Sequence, residues 1–244
     1  MGKEQTEPVR RSQMGQDNQD PAEDGTLTER DSADWRHPVL LGLFVTCLLP
    51  ELVLSGADLR LWGQPFWRML AVQNFGFWPG LLDNWRPNYR VQPATMFLTY
   101  CLLHAGIVHF TVNMMTLFSL GRSLLGRFGG GAFLALYLMS AIGGSIGFAL
   151  LSSQILPMVG ASGALFGLAG AHVGVHHRDR LAAHDSQGPV VRAVLGLVAL
   201  NLVLWWAMDG QLAWETHLGG FVTGWAMAIW LERRAEARDR ATGA

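Results

Sequence analysis

Charged side chains are scarce in this sequence. Lys, Arg, Asp and Glu supply 15% of its 244 residues, against 50% hydrophobic residues. They are also bunched, which leaves long stretches almost free of charge. That balance argues against a soluble globular chain and for a polytopic helical membrane protein. Cysteine is nearly missing. Cys47 and Cys101 both fall inside apolar runs, which excludes a disulfide scaffold and leaves two small buried hydrophobes. A formal net charge of −1 gives no electrostatic footprint for a nucleic-acid partner. Residues 1–36 have almost no large apolar side chains and cannot bury a core, so a disordered segment is expected there. Nine acids against five bases in that stretch do not suit a mitochondrial transit peptide, and the basic-then-apolar pattern of a secretory signal is missing.

Apolar segments stand out at about 37–56, 95–121, 131–153, 160–175, 190–208 and 212–231. They predict an all-α bundle of six transmembrane helices over residues 37–232, followed by a C-terminal tail at 233–244. Between the first two spans, about 57–93 mixes Trp62, Phe66, Trp67, Phe75, Phe77, Trp78, Trp85 and Tyr89 with Gly, Pro, Asn and Arg. Aromatic rings with polar neighbours favour the membrane interface, so a long structured loop in contact with lipid headgroups is expected. With six spans, 14 of the 18 Lys and Arg residues fall on the side holding both termini, which places the termini in the cytoplasm.

From Gly160 the glycines recur at 163, 167, 170 and 174. On a helix this spacing makes a bare stripe that a second helix can approach almost to backbone contact. Gly220 and Gly224 give the last span a matching stripe, three and seven residues after His217. Close approach of the two stripes brings the His217 imidazole toward Ser162, the only hydroxyl in the glycine window. A serine hydroxyl is a weak nucleophile until a base takes its proton, and His217 is the candidate base. Glu215 lies about 200° from His217 round the helix and cannot orient the same ring, so a dyad is expected rather than a triad.

Depth points the same way. About 14 residues, roughly 21 Å at ~1.5 Å per residue, separate Ser162 from the His176-His177-Arg178 cluster. A short fourth span would start below the outer surface, with Ser162 on the floor of a wet pocket. A second span entering near Tyr100 would carry His109 and Asn113 down to a similar layer. These two are four residues apart on one face, and with the first-turn amide of Ser162 they can supply oxyanion donors. His104, about 140° round from His109, reads as structural. His172 reads as a packing or helix-end residue. His176, His177 and His184 read as a solvated loop, since no Cys or acid pattern accompanies them.

The combination resembles the rhomboid intramembrane serine proteases. Three motifs carry the resemblance, in order: His104-Ala-Gly-Ile-Val-His109-Phe-Thr-Val-Asn113, Gly160-Ala161-Ser162-Gly163 and His217-Leu-Gly-Gly220-Phe-Val-Thr-Gly224. It covers about residues 37–232. The resemblance implies a six-helix fold with both termini inside, a Ser162–His217 dyad, and an oxyanion hole of His109, Asn113 and the Ser162 amide. Phe166 matches the aromatic that stacks on the catalytic histidine, and Gly160, Gly163, Gly220 and His104 support the site. Members often carry a Trp-Arg pair shortly before the second span; here that place reads Thr95-Met96, with Trp67-Arg68 and Trp85-Arg86 further upstream. The expectation is an endopeptidase of the bacterial cytoplasmic membrane that cleaves transmembrane proteins near their outer ends and needs no metal or organic cofactor. A non-catalytic binder or chaperone on the same scaffold would be marked by loss of Ser162 or His217. A transporter would show polar pairs near mid-membrane in several spans and an internal repeat.

Overall fold

The structure, a computed structural model, describes residues 34–242. All but the last three residues of the segment expected to be disordered lie outside the described residues. Seven α-helices follow in order: α1 (Pro38–Asp58), α2 (Trp67–Phe75), α3 (Gln92–Thr99), α4 (Ile107–Leu151), α5 (Ser162–Ala182), α6 (Gly188–Ala207) and α7 (Trp214–Thr242). Two 3-10 turns, Pro79–Leu82 and Tyr100–Leu102, join them. The described residues contain no strand, only an isolated antiparallel bridge between Phe77 and Met158. Three helices, α1, α4 and α6, are long and apolar enough to cross a membrane by length and composition. The chain is an integral membrane protein.

At 45 residues α4 would be about 68 Å long if straight, more than twice the ~30 Å hydrocarbon core. It is not straight. Gly129 adopts φ 74° and ψ 165°, a conformation outside the helical region that glycine reaches at little steric cost, and it divides α4 into two arms.

Three expectations change here. The apolar stretch from about 95 does not begin the second span, because α3 and the 3-10 turn use it up. Leu103 is extended, and α4 starts only at Ile107. The segment holding Arg122 and Arg127 is helical rather than a loop, and the break falls at Gly129. The glycine-lined helix also runs past its apolar stretch, so His176 and His177 are helical rather than in a loop. It continues through His176, His177 and Arg178 to Ala182, a run of 21 residues or about 31 Å, because polar side chains do not end a helix that has reached water. The helix is thus longer than its apolar run, which still ends at His176. His109 lies in the first turn of α4, nine residues past Tyr100.

Helices α4, α5 and α7 form the centre, in backbone contact. A Cβ on Gly220 would overlap the Gly163 carbonyl, one on Gly224 the Gly167 carbonyl, and one on Gly170 the Phe221 carbonyl. Gly147 and Gly219 make the corresponding contact between α4 and α7. Dispersion between such closely apposed backbones is what holds helices together where lipid removes the hydrophobic drive. Helix α6 is different. Of its residues only Val190 is buried, and Leu195, Val198, Leu202, Val203 and Trp206 face outward.

The first loop is fastened from beneath. Phe77 is fully buried, with its ring edge-on to Phe97, Tyr100 and Phe148 at centroid distances of 5.1, 6.3 and 6.0 Å. Arg68 on α2 supplies the anchor that the Thr95-Met96 position does not. Its guanidinium donates to both oxygens of Glu51 at 3.0 Å, to Asp58 at 2.6 Å and to the His104 carbonyl at 2.6 Å. Glu51 is a buried carboxylate on α1, and it also accepts from Ser55 at 2.6 Å. Above this anchor Leu61, Trp62, Phe66, Met69 and Leu70 stay exposed, as an interfacial loop requires. Cys47 and Cys101 are both free and buried.

Candidate active site

Three helix starts meet at one place. Ser162 is the first residue of α5, His109 the third of α4 and His217 the fourth of α7. Each helix start presents backbone N–H groups without intrahelical acceptors, together with the positive end of its dipole. A site built here favours negative charge before any side chain is counted.

The Ser162 hydroxyl lies 3.0 Å from His217 Nε2. Phe166, one turn along α5, stacks flat on the imidazole, with ring centroids 4.0 Å apart and planes 7° from parallel. His217 is buried, while Ser162 is half-buried and so can be reached. The glycine contacts set this distance, because α5 and α7 touch immediately below the pair.

His109 packs against Gly160. A Cβ at Gly160 would meet its ring, and the backbone there has φ +127°, so both space and conformation call for glycine. The Ala105 N–H donates to His109 Nδ1 at 3.4 Å. In a neutral ring that leaves the proton on Nε2, the edge turned toward the start of α5. Asn113 spends one amide hydrogen on the His109 carbonyl at 2.8 Å and keeps the second. His104 is fully buried and edge-on to both His109 and Phe110, at 5.3 and 5.4 Å, with no polar partner on either ring nitrogen. It is placed to hold His109 by packing.

The sequence motifs do not contain one contact of the histidine. His217 Nδ1 lies 2.6 Å from Oδ1 of Asn201, on α6. Glu215, buried one residue past the start of α7, is not in that position. The signal for Asn201 was present: apart from tryptophan, it is the only side chain between Arg192 and Asp209 able to make a strong hydrogen bond. An amide inside an apolar span calls for a partner. Among the described residues no group of three or more His, Cys, Asp or Glu is arranged to hold a metal ion.

The Rhomboid domain family model matches residues 91–234, more than half of the chain. Among curated proteins, RHOMBOID-like protein 2 of Arabidopsis thaliana is 33% identical over 146 residues, which is 60% of this chain and 45% of that protein. Rhomboid protease GluP of Bacillus subtilis is 33% identical over 131 residues, 54% of this chain and 25% of its own length. Rhomboid protein 1, mitochondrial, of Saccharomyces cerevisiae is 32% identical over 152 residues, 57% and 44% respectively. The chain therefore spans less than half the length of each of these relatives. The matched region takes in α4, α5, α6 and the part of α7 that carries His217, the helices that build the site. On this evidence the chain belongs to the rhomboid family.

Proposed function

We propose that this protein is an intramembrane serine endopeptidase that cleaves transmembrane-anchored proteins near the outer membrane face through a Ser162–His217 dyad. The observation that carries the reading is the 3.0 Å contact between the Ser162 hydroxyl and His217 Nε2, with the imidazole clamped flat by Phe166. In the proposed reaction His217 takes the hydroxyl proton as Ser162 Oγ attacks the scissile carbonyl. His109 Nε2–H, the free hydrogen of Asn113 and the Ser162 amide then stabilise the oxyanion. Collapse of the tetrahedral intermediate breaks the C–N bond, and the imidazolium gives its proton to the leaving amine. Water, deprotonated by the same imidazole, hydrolyses the acyl-enzyme and restores Ser162. No metal or organic cofactor takes part.

In this reading the two arms of α4, with α1, α5, α6 and α7, serve as six spans. The arginine distribution then puts both termini inside and the site on the outer side, and a bacterial cytoplasmic membrane is the proposed home. A helical substrate hides its carbonyls in its own hydrogen bonds, so cleavage needs local unwinding. Substrates rich in Gly or other weak helix formers near the membrane edge are therefore preferred. The name "Rhomboid protease GluP" of a relative supports the activity class.

The test is cleavage of a model transmembrane substrate by reconstituted protein, together with labelling by a fluorophosphonate probe. Ser162→Ala and His217→Ala are each expected to abolish cleavage while the protein stays folded and inserted. Full activity in Ser162→Ala ends the reading. A wild-type protein that binds the substrate but neither cuts it nor takes the probe is a binder on the same scaffold.

A further inference from the structure

We infer that Asn201 is a positioning residue that fixes the tautomer and tilt of the His217 imidazole, extending the dyad to a line of three hydrogen-bonded side chains across α5, α7 and α6. This rests on the reading of Ser162 and His217 as nucleophile and base.

Hydrogen-bond direction fixes where the imidazole proton sits. The Asn201 Nδ2 donates to the Leu197 carbonyl at 3.1 Å, one turn back on α6. That donation settles which end of the amide faces α7, because the flipped amide would set its oxygen against the Leu197 carbonyl, acceptor against acceptor. The oxygen therefore points at His217 Nδ1, 2.6 Å away. A carbonyl oxygen can only accept, so Nδ1 must carry the proton. In a neutral imidazole the lone pair then sits on Nε2, the nitrogen 3.0 Å from the Ser162 hydroxyl. The opposite tautomer would aim an N–H at Ser162 and leave it without a base.

Packing does not account for Asn201. Val190, Val194, Leu197 and Asn201 form the inward stripe of α6, at spacings of four, three and four, and the other three are aliphatic. A leucine at 201 would continue that stripe. The amide is the one departure, and both its polar ends are used. Phe166 on one face of the ring and Asn201 at its edge together leave the imidazole neither tilt nor spin. The oxygen of a neutral amide can orient the ring and, once Nε2 is protonated, offer the imidazolium a dipole; it cannot take the proton.

The test uses the full chain in detergent or liposomes. With 15N-histidine labelling, and His217→Ala to assign the signal, wild-type His217 is expected to show protonated Nδ1 and bare Nε2 when neutral. Asn201→Ala and Asn201→Leu, folded by circular dichroism, are expected to lower kcat by about tenfold or more with KM within about twofold, the pattern of a mis-set base rather than lost binding. Fluorophosphonate labelling of Ser162 should slow in parallel. Asn201→Asp keeps the acceptor and should retain most of kcat. The proposal is overturned by wild-type kcat in folded Asn201→Ala, by a folded Asn201→Asp as slow as the alanine variant, or by a wild-type spectrum with the proton on Nε2. Failure of the protease reading looks different: Ser162→Ala still cleaves, or nothing cleaves at all. The tautomer spectrum needs no turnover and decides the Asn201 contact in either case.

Discussion

The carbonyl of Gly163 fills the space that a side chain on Gly220 would need. This one contact places α5 and α7 so that the residue before Gly163 and the residue three before Gly220 lie 3.0 Å apart. Gly220→Ala must push the helices apart at the level of the dyad. A misplacement of about 1 Å can lower a rate by roughly 100-fold, and a loss of that order in kcat is expected. Gly42→Ala on α1, where an added Cβ meets nothing within 4 Å, serves as the matched control and should leave the rate unchanged. Cleavage assays on the two variants side by side check this.

Removing a donor from the proposed oxyanion hole should lower kcat rather than raise KM, because these groups act where charge develops. His109→Ala is expected to reduce kcat by about 10²–10³-fold. Asn113→Ala should cost less, since half of its donor capacity already goes to the His109 carbonyl. Steady-state kinetics on a model substrate separate the two constants. A rise in KM at constant kcat would reassign both residues to substrate binding.

The Arg68–Glu51 pair joins the first loop to α1 in a region with little water. Side-chain exposure is 15% for Arg68 and 1% for Glu51, so Arg68→Ala strands a buried carboxylate. Destabilisation of about 3–5 kcal/mol is expected, measurable by unfolding in mixed micelles. The paired change Glu51→Leu with Arg68→Met should recover part of that loss by removing both charges together. If the double variant is no better than the single, the stranded charge is not the cause.

Acid should loosen the far end of the bundle. The hydrogen bond from Arg127 holds the Glu232 carboxyl below its ordinary pKa, against a smaller opposing effect of burial. A carboxyl lowered in the folded state adds stability above its unfolded pKa and loses it as pH falls through the folded one. The thermal midpoint should therefore fall on acidification below the usual carboxylate range. Arg127→Gln should flatten that slope while lowering the midpoint near neutrality.

How much of this was legible in the sequence depended on periodicity. The stripes Gly160–Gly174 and Gly220–Gly224 have helical spacing and lack bulk, so the close approach, and with it the Ser162–His217 pairing, could be read from residue positions alone. The glycine triplet at 129–131 looks like the end of a loop, yet only Gly129 leaves helical geometry and the chain around it stays wound. The stretch from 95 to 103 is apolar enough to pass for membrane, but Phe77 is buried against it and makes it part of the floor beneath the loop. The pairings of Asn201 with His217 and of Arg68 with Glu51 were out of reach for a different reason. Each contact joins residues on separate helices, and neither partner carries a spacing signature that names the other.

The Arg127 guanidinium grips Asp179 and Glu232 at 2.8–3.0 Å and so ties the first arm of α4 to α5 and α7, well away from their starts. Asp179 is 17 residues beyond Ser162, about 26 Å along the same helix. Helices α5 and α7 are therefore held at two levels, by glycine backbone contact beside Ser162 and His217 and by this charge cluster further along. In the proposed mechanism the starts of these helices are where Ser162, His109 and His217 keep register. In the proposed mechanism, accuracy at the reacting atoms draws support from a charge cluster that lies about 26 Å away along α5.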